Sequence, residues 1–84
     1  MRLGEEQRTE VRNIFREVHV EPERDINFSV DVGAHVPREV HLHRLPARIV
    51  EIVPDYRDDQ YFVLPDGRIV IVDAGSLEVV AIIG

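Results

Sequence analysis

The chain has no cysteine, no tryptophan and no lysine. Lack of cysteine removes disulfide staples, thiolate metal sites and a cysteine nucleophile. It leaves the compartment open, because oxidising compartments permit disulfides without requiring them. All 10 basic residues are arginine and they face 16 acids, for a formal net charge of −6. That balance argues against a nucleic-acid footprint, which needs a positive surface. It equally disfavours docking on anionic lipid. No apolar run approaches the length of a bilayer span, so no membrane insertion is expected, and no signal peptide heads these residues. Hydroxyl nucleophiles are scarce: Ser29, Ser76 and Thr9, none in an elbow motif. There is no glycine-rich phosphate cradle, and Asp66-Gly67 is too short for a calcium loop. The acids are numerous but dispersed, with no pair set up for opposed acid and base roles. The sequence therefore reads as a protein that is not an enzyme.

What the chain does have is branched aliphatics. Valine and isoleucine supply 22 of 84 residues, against five leucines. Branched side chains lose little χ1 freedom on a pleated surface and pack well there, so the composition points to β structure. The length allows one domain, residues 1–84. A domain this small buries only about 60–65% of its unfolded surface, so its stability margin is thin.

The strongest pattern lies at the C-terminal end. Tyr61-Phe62-Val63-Leu64, Arg68-Ile69-Val70-Ile71-Val72-Asp73 and Leu77-Glu78-Val79-Val80-Ala81-Ile82-Ile83 are separated by Pro65-Asp66-Gly67 and Ala74-Gly75-Ser76. This predicts a β-meander. Pro65 presets φ for the first turn position, and Gly67 suits the left-handed residue of a type I turn with a following bulge. In the middle run Ile69 and Ile71 point one way and Val70 and Val72 the other, so the strand needs cover on both sides. The last run also alternates as two apolar sets, Leu77, Val79, Ala81 and Ile83 against Val80 and Ile82.

Upstream, Leu3, Gln7, Val11, Ile14, Phe15 and Val18 fall on one helical face and predict an amphipathic helix over residues 3–18, within a leading helical region 1–20. Glu5 and Glu6 at its start and Arg12 and Arg16 near its end suit the helix dipole. Packing on its own sheet is the expected use of this helix, ahead of partner binding. Ile26 to Val32 alternates strictly and predicts a strand with one wet face. Val40 to Leu45 alternates again, with Val40 and Leu42 inward, until Pro46 breaks the ladder. Ala47 to Val53 is compatible with a short helix after Pro46 or a short strand; one or two helical turns are favoured. Pro54 to Gln60 reads as an exposed charged loop. The expected fold is α+β: an N-terminal amphipathic helix on an antiparallel sheet of four to five strands, with a C-terminal meander.

The ordered set Asn27-Phe28-Ser29-Val30, Gly33, Val36-Pro37, Val40, Leu45-Pro46, Ile49-Val50-Glu51-Ile52-Val53-Pro54, Tyr56, Tyr61-Phe62-Val63 and Ile69-Val70-Ile71-Val72-Asp73 resembles domain of unknown function 1236, a small domain of alphaproteobacterial proteins. The resemblance covers residues 26–83. It implies a secreted or periplasmic setting, usually behind a signal peptide, and brings no established activity. Ala74, where the family often has proline, and the acidic loop with Asp55, Asp58 and Asp59 depart from the pattern.

The sharpest polar feature is His41-Leu42-His43, with His35 close in sequence. Residues two apart on a strand share a face, so two imidazoles could hold a Zn, Ni or Cu ion, with His35, Glu39 or Asp31 as a third ligand. A solvated strand face is the commoner use of such a pair, since a structural zinc needs four ligands and a catalytic one at least three. The expected role is a non-catalytic interaction or structural module of the bacterial cell envelope, binding a protein partner or forming a homodimer. A histidine-based divalent-metal protein is the alternative. Self-association is suggested by the excess of two-sided apolar strand: one helix covers one face, and the other needs the 26–53 segment or a second copy.

Overall fold

Gly67 sits at φ 93°, a left-handed conformation that costs a glycine nothing. The Gly67 N–H donates to Leu64 O at 2.9 Å, and Leu64 N–H donates to Arg68 O at 2.9 Å, so a tight turn ends in a bulge at glycine. Asp66 locks it by accepting from the Arg68 N–H at 3.1 Å and from its guanidinium at 2.9 Å. This turn joins the two central strands of the sheet. The computed structural model of the chain describes residues 4–17, 21–23, 26 and 28–83. In chain order it contains α1 (Glu5–Arg16), β1 (His43–Arg44), α2 (Ala47–Ile52), a 3₁₀ turn (Pro54–Tyr56), β2 (Asp59–Val63), β3 (Ile69–Asp73) and β4 (Val79–Ile83). The four strands form one antiparallel sheet in the order β1-β2-β3-β4, so the α+β fold and its meander are as the sequence predicts.

Both faces of that sheet are covered by the chain itself. On the first face, Val11, Ile14 and Phe15 of α1 and Ile49 of α2 bury against Tyr61, Ile69, Ile71 and Ile83, with Leu45, Val53 and Tyr56 filling the layer. Phe15 and Tyr61 meet at 4.9 Å between ring centroids in a tilted arrangement. On the second face Phe62, Leu64, Val70, Val72 and Val79 form the core, with Val36 from the crossing chain. Ile26, Phe28, Val30, Val40 and Leu42 pack on top of it. Ile69 and Ile71 thus go to one side and Val70 and Val72 to the other. The second cover comes from Ile26 and residues 28–42 of the same molecule, so the sheet face that prompted the expectation of a homodimer is already occupied.

Three local expectations change. Arg24, Asp25 and Asn27 lie outside the described residues; Ile26 and residues 28–32 make no ladder and so are not the expected strand. Their alternation is real, since Ile26, Phe28 and Val30 pack on the sheet while Ser29 and Asp31 are exposed. An extended strap lying across a sheet face buries alternate side chains just as an edge strand does, and hydrophobic period alone does not distinguish them. Val32 breaks the alternation at 66% exposure, in the turn before Gly33, which adopts φ 94°. Residues 40–45 pair only at His43 and Arg44, because the chain crosses there from one face to the other: Leu42 packs on the second face and Leu45 is buried in the first. The 54–60 loop is ordered by a buried Tyr56, and its end joins β2.

The α1 expectation holds over Glu5–Arg16, with Leu3 and Val18 outside the described residues. Gln7 Oε1 accepts from the Gly4 N–H at 3.2 Å, closing the N-terminus, and Val11, Ile14 and Phe15 are its buried face. Ala47–Ile52 is helical, following Pro46 at φ −58°. In β4 an irregularity between Val72 and Ile71 makes Val79, not Val80, the partner of Val72. The extra residue flips the parity of the strand. Val79 therefore sides with Ile82 on the second face, while Val80, Ala81 and Ile83 belong to the first.

Candidate functional site

His43 enters the sheet opposite Tyr61, and their rings lie 5.7 Å apart between centroids. His41 precedes it on an exposed stretch whose main chain is tied down by Glu23: the His41 N–H donates to Glu23 Oε1 at 3.2 Å. Glu23 is itself fixed to the sheet edge by its N–H on Val63 O at 2.8 Å. The two imidazoles are 6.0 Å apart between centroids, tilted by 46°. His35 is elsewhere, bridged to Glu78 beyond β4, at the opposite edge of the sheet from β1. With strands spaced about 4.8 Å, four intervals separate the two edges, a span of almost 20 Å before curvature. Among the described residues no three histidine or acidic side chains converge as a metal group, so neither His35, Glu39 nor Asp31 joins the pair.

Asp59 and Asp73 form a second polar feature. They are directly opposed cross-strand neighbours of β2 and β3. Burial holds the Asp59 carboxyl above the usual carboxylate range, and the charges of Asp73 and Asp58 push it further. Asp73 is engaged in its turn: Oδ1 accepts from the Gly75 N–H at 2.7 Å and the Ser76 N–H at 3.3 Å. Nearby, the Tyr56 hydroxyl is buried without a hydrogen-bond partner. Burial raises its pKa, the charges of Asp59 and Asp55 add to the rise, and Arg8 opposes it. Treating 54–60 as a loop hid this arrangement. The signal was in the turn: Leu64 faces Arg68, and stepping five residues outward on each side lands on Asp59 and Asp73.

The third feature is a hollow of about 350 Å³ between residues 37–42 and the β3–β4 turn, walled by Pro37, Val40, Leu42, Ala74, Gly75 and Leu77, with Arg38 at its rim. Leu77 has φ 60°, the one non-glycine residue with positive φ among the described residues. No motif in the sequence announces this site. A second hollow of about 400 Å³ runs along the start of α1 beside Glu5, Glu6, Thr9 and Glu10; one helix supplies its whole lining, which makes it surface relief.

Fold and surface together define a small antiparallel α+β domain whose polar groups sit at the rims and turns of a doubly covered sheet. The chain belongs to the family described as Domain of unknown function (DUF1236), whose model matches residues 14–84. The match takes in the last turn of α1 and the whole sheet. No curated protein matches the chain, and no solved structure does. No helix among the described residues is long and apolar enough to cross a membrane.

Asp59 gives a signed prediction. Its folded pKa is raised, so the native state binds the proton more tightly than the unfolded chain. Stability therefore falls as pH rises from the ordinary carboxylate range through the raised value, and stays reduced above it. Asp59→Asn should stabilise the domain at pH 7 by a few tenths of a kcal/mol, a small figure because the group is partly solvated. The gain should vanish below about pH 3–4, where unfolded aspartates are also protonated. Urea unfolding across pH reads this directly; a variant less stable than the native protein at pH 7 would contradict it.

Proposed function

We propose that this domain is a non-catalytic interaction and structural module of the bacterial cell envelope that associates with a second copy of itself through the free half of β4. The observation that carries the reading is the uneven cover of that edge. Gly33 N–H donates to Val79 O, Val79 N–H to Ala34 O and Val36 N–H to Leu77 O, all at 2.7–2.8 Å. The covering segment then turns away through Asp31–Ala34, where Ala34 N–H donates to Asp31 O at 3.0 Å. Beyond it, no backbone group among the described residues pairs with the outer side of residues 80–83. That stretch, Val80-Ala81-Ile82-Ile83, has none of the charges or prolines that blunt natural edges. Val32, the exposed large hydrophobic residue, lies in the turn beside it. An antiparallel strand pairs with its own copy about a two-fold axis, which needs only one patch. The envelope setting draws its support from the sequence resemblance alone.

Sedimentation across about 1–500 μM should show a reversible monomer–dimer equilibrium. Val32→Glu, which places a like charge beside the two-fold, should weaken it at least about tenfold without changing the fold. A monomer throughout that range would overturn self-association.

The paired imidazoles favour a second reading, in which His41 and His43 chelate a Zn, Ni or Cu ion, because a separation of 6.0 Å leaves room for one ion between the rings. Under it, zinc or nickel added to untagged protein should raise the melting temperature, and His41→Ala should abolish the rise while His35→Ala leaves it intact. A flat titration would end this reading.

A further inference from the structure

We propose that the hollow between residues 37–42 and the β3–β4 turn binds a small aliphatic monocarboxylate, its carboxylate on the Arg38 guanidinium and its hydrocarbon on Val40, Leu42 and Leu77.

Three observations converge on this. The first is shape and lining. Val40, Leu42 and Leu77 are partly buried on the rim of the second core and turn apolar surface into a space of about 350 Å³. That volume lies at the lower end of the range for small-molecule sites, so it suits a ligand with a short chain. The second is the backbone of Leu77. A leucine at φ 60° is strained relative to a relaxed conformation and persists only where its surroundings fix it. Here Leu77 N–H donates to Asp73 O at 2.8 Å and Leu77 O accepts from Val36 N–H at 2.7 Å. Glycine would occupy the position without strain but would supply no wall. The strained residue thus lies in the lining.

The third is charge. Arg38 is the one charged side chain of the lining and is exposed. Ion pairs among the described residues involve Arg57 and Arg68, and none involves Arg38. In a chain with 16 acids against 10 basic residues, a guanidinium with no ion pair among the described residues, beside Val40, Leu42 and Leu77, complements an anion with an apolar body. One guanidinium presents a planar fork that matches a carboxylate in bidentate geometry. A phosphate dianion would call for further positive donors, which the lining lacks. The site uses residues 37–42 and 74–77, away from the 80–83 edge, so it stands whether or not the protein dimerises.

The test is titration of isotope-labelled protein with sodium hexanoate, followed by amide chemical shifts, with hexanol and hexylamine as shape-matched controls. Saturable shifts confined to residues 37–42 and 74–77 are expected. Hexanol, and hexanoate with Arg38→Gln, should each bind at least about tenfold more weakly. Arg38 is exposed, so that variant should keep a native spectrum. Leu77→Gly should also lose hexanoate binding even though its main chain is relieved. Shifts that do not saturate or that scatter over the surface would overturn the site. So would hexylamine binding as well as hexanoate, or Arg38→Gln binding hexanoate as the native protein does.

Discussion

Strand β3 has no side that can face water. Ile69 and Ile71 project into one core and Val70 and Val72 into the other, all of them buried. Burying each such side chain contributes about 1.5–3 kcal/mol, an upper figure because real unfolded chains are partly collapsed. Exposing one face of this strand alone would therefore remove about 3–6 kcal/mol. A domain of this length has a total margin of about 4–13 kcal/mol. At the lower end of that margin, one bare face would be enough to unfold the domain. The two-sided strand thus dictates that the chain supply two covers, and the rest of the molecule is the solution: α1 and α2 on one side, the 26–42 strap on the other.

Covering both faces from so short a chain has a consequence at the edges. The strap crosses one face, turns at Val32 and Gly33, and pairs with residues 77–79 only through Gly33, Ala34 and Val36. On the other edge, β1 is two residues long and Glu23 adds a single bond at Val63. Among the described residues, neither edge is fully closed. The bulge at Val79–Val80 belongs to the same economy of length, because it lets one strand feed Val79 and Ile82 to one core and Val80, Ala81 and Ile83 to the other. Interaction and ligand surfaces on this domain are therefore expected at rims and turns, since the faces are spent on the core.

The central part of this design was legible from residue order. The meander, the left-handed Gly67, the split of Ile69 and Ile71 from Val70 and Val72, and the amphipathic α1 all follow from local rules that tertiary contacts do not override. Other features were not legible because the rule in use reports burial and says nothing of hydrogen bonding. Residues 26–32 alternate like a strand in the sequence, while Ile26, Phe28 and Val30 pack on the sheet as part of a strap. The parity of β4 could not be read because a bulge leaves no clear mark among Val-Val-Ala-Ile-Ile. His41 and His43 come together as their spacing requires, while His35, six residues before His41, is carried to the far edge by the crossing chain. The hollow at Arg38 and Leu77 and the opposition of Asp59 to Asp73 depend on register between distant segments, which no short motif encodes.

Amide hydrogen exchange measures the central claim most directly. If two-sided cover of β3 is what holds the domain together, the amides of Val70, Ile71 and Val72 that bond to neighbouring strands should be the slowest in the molecule. Their opening free energy should equal that of global unfolding by denaturant. Slowest exchange in α1, or opening of β3 at a free energy well below the global value, would show that the strand is not the element on which the fold depends.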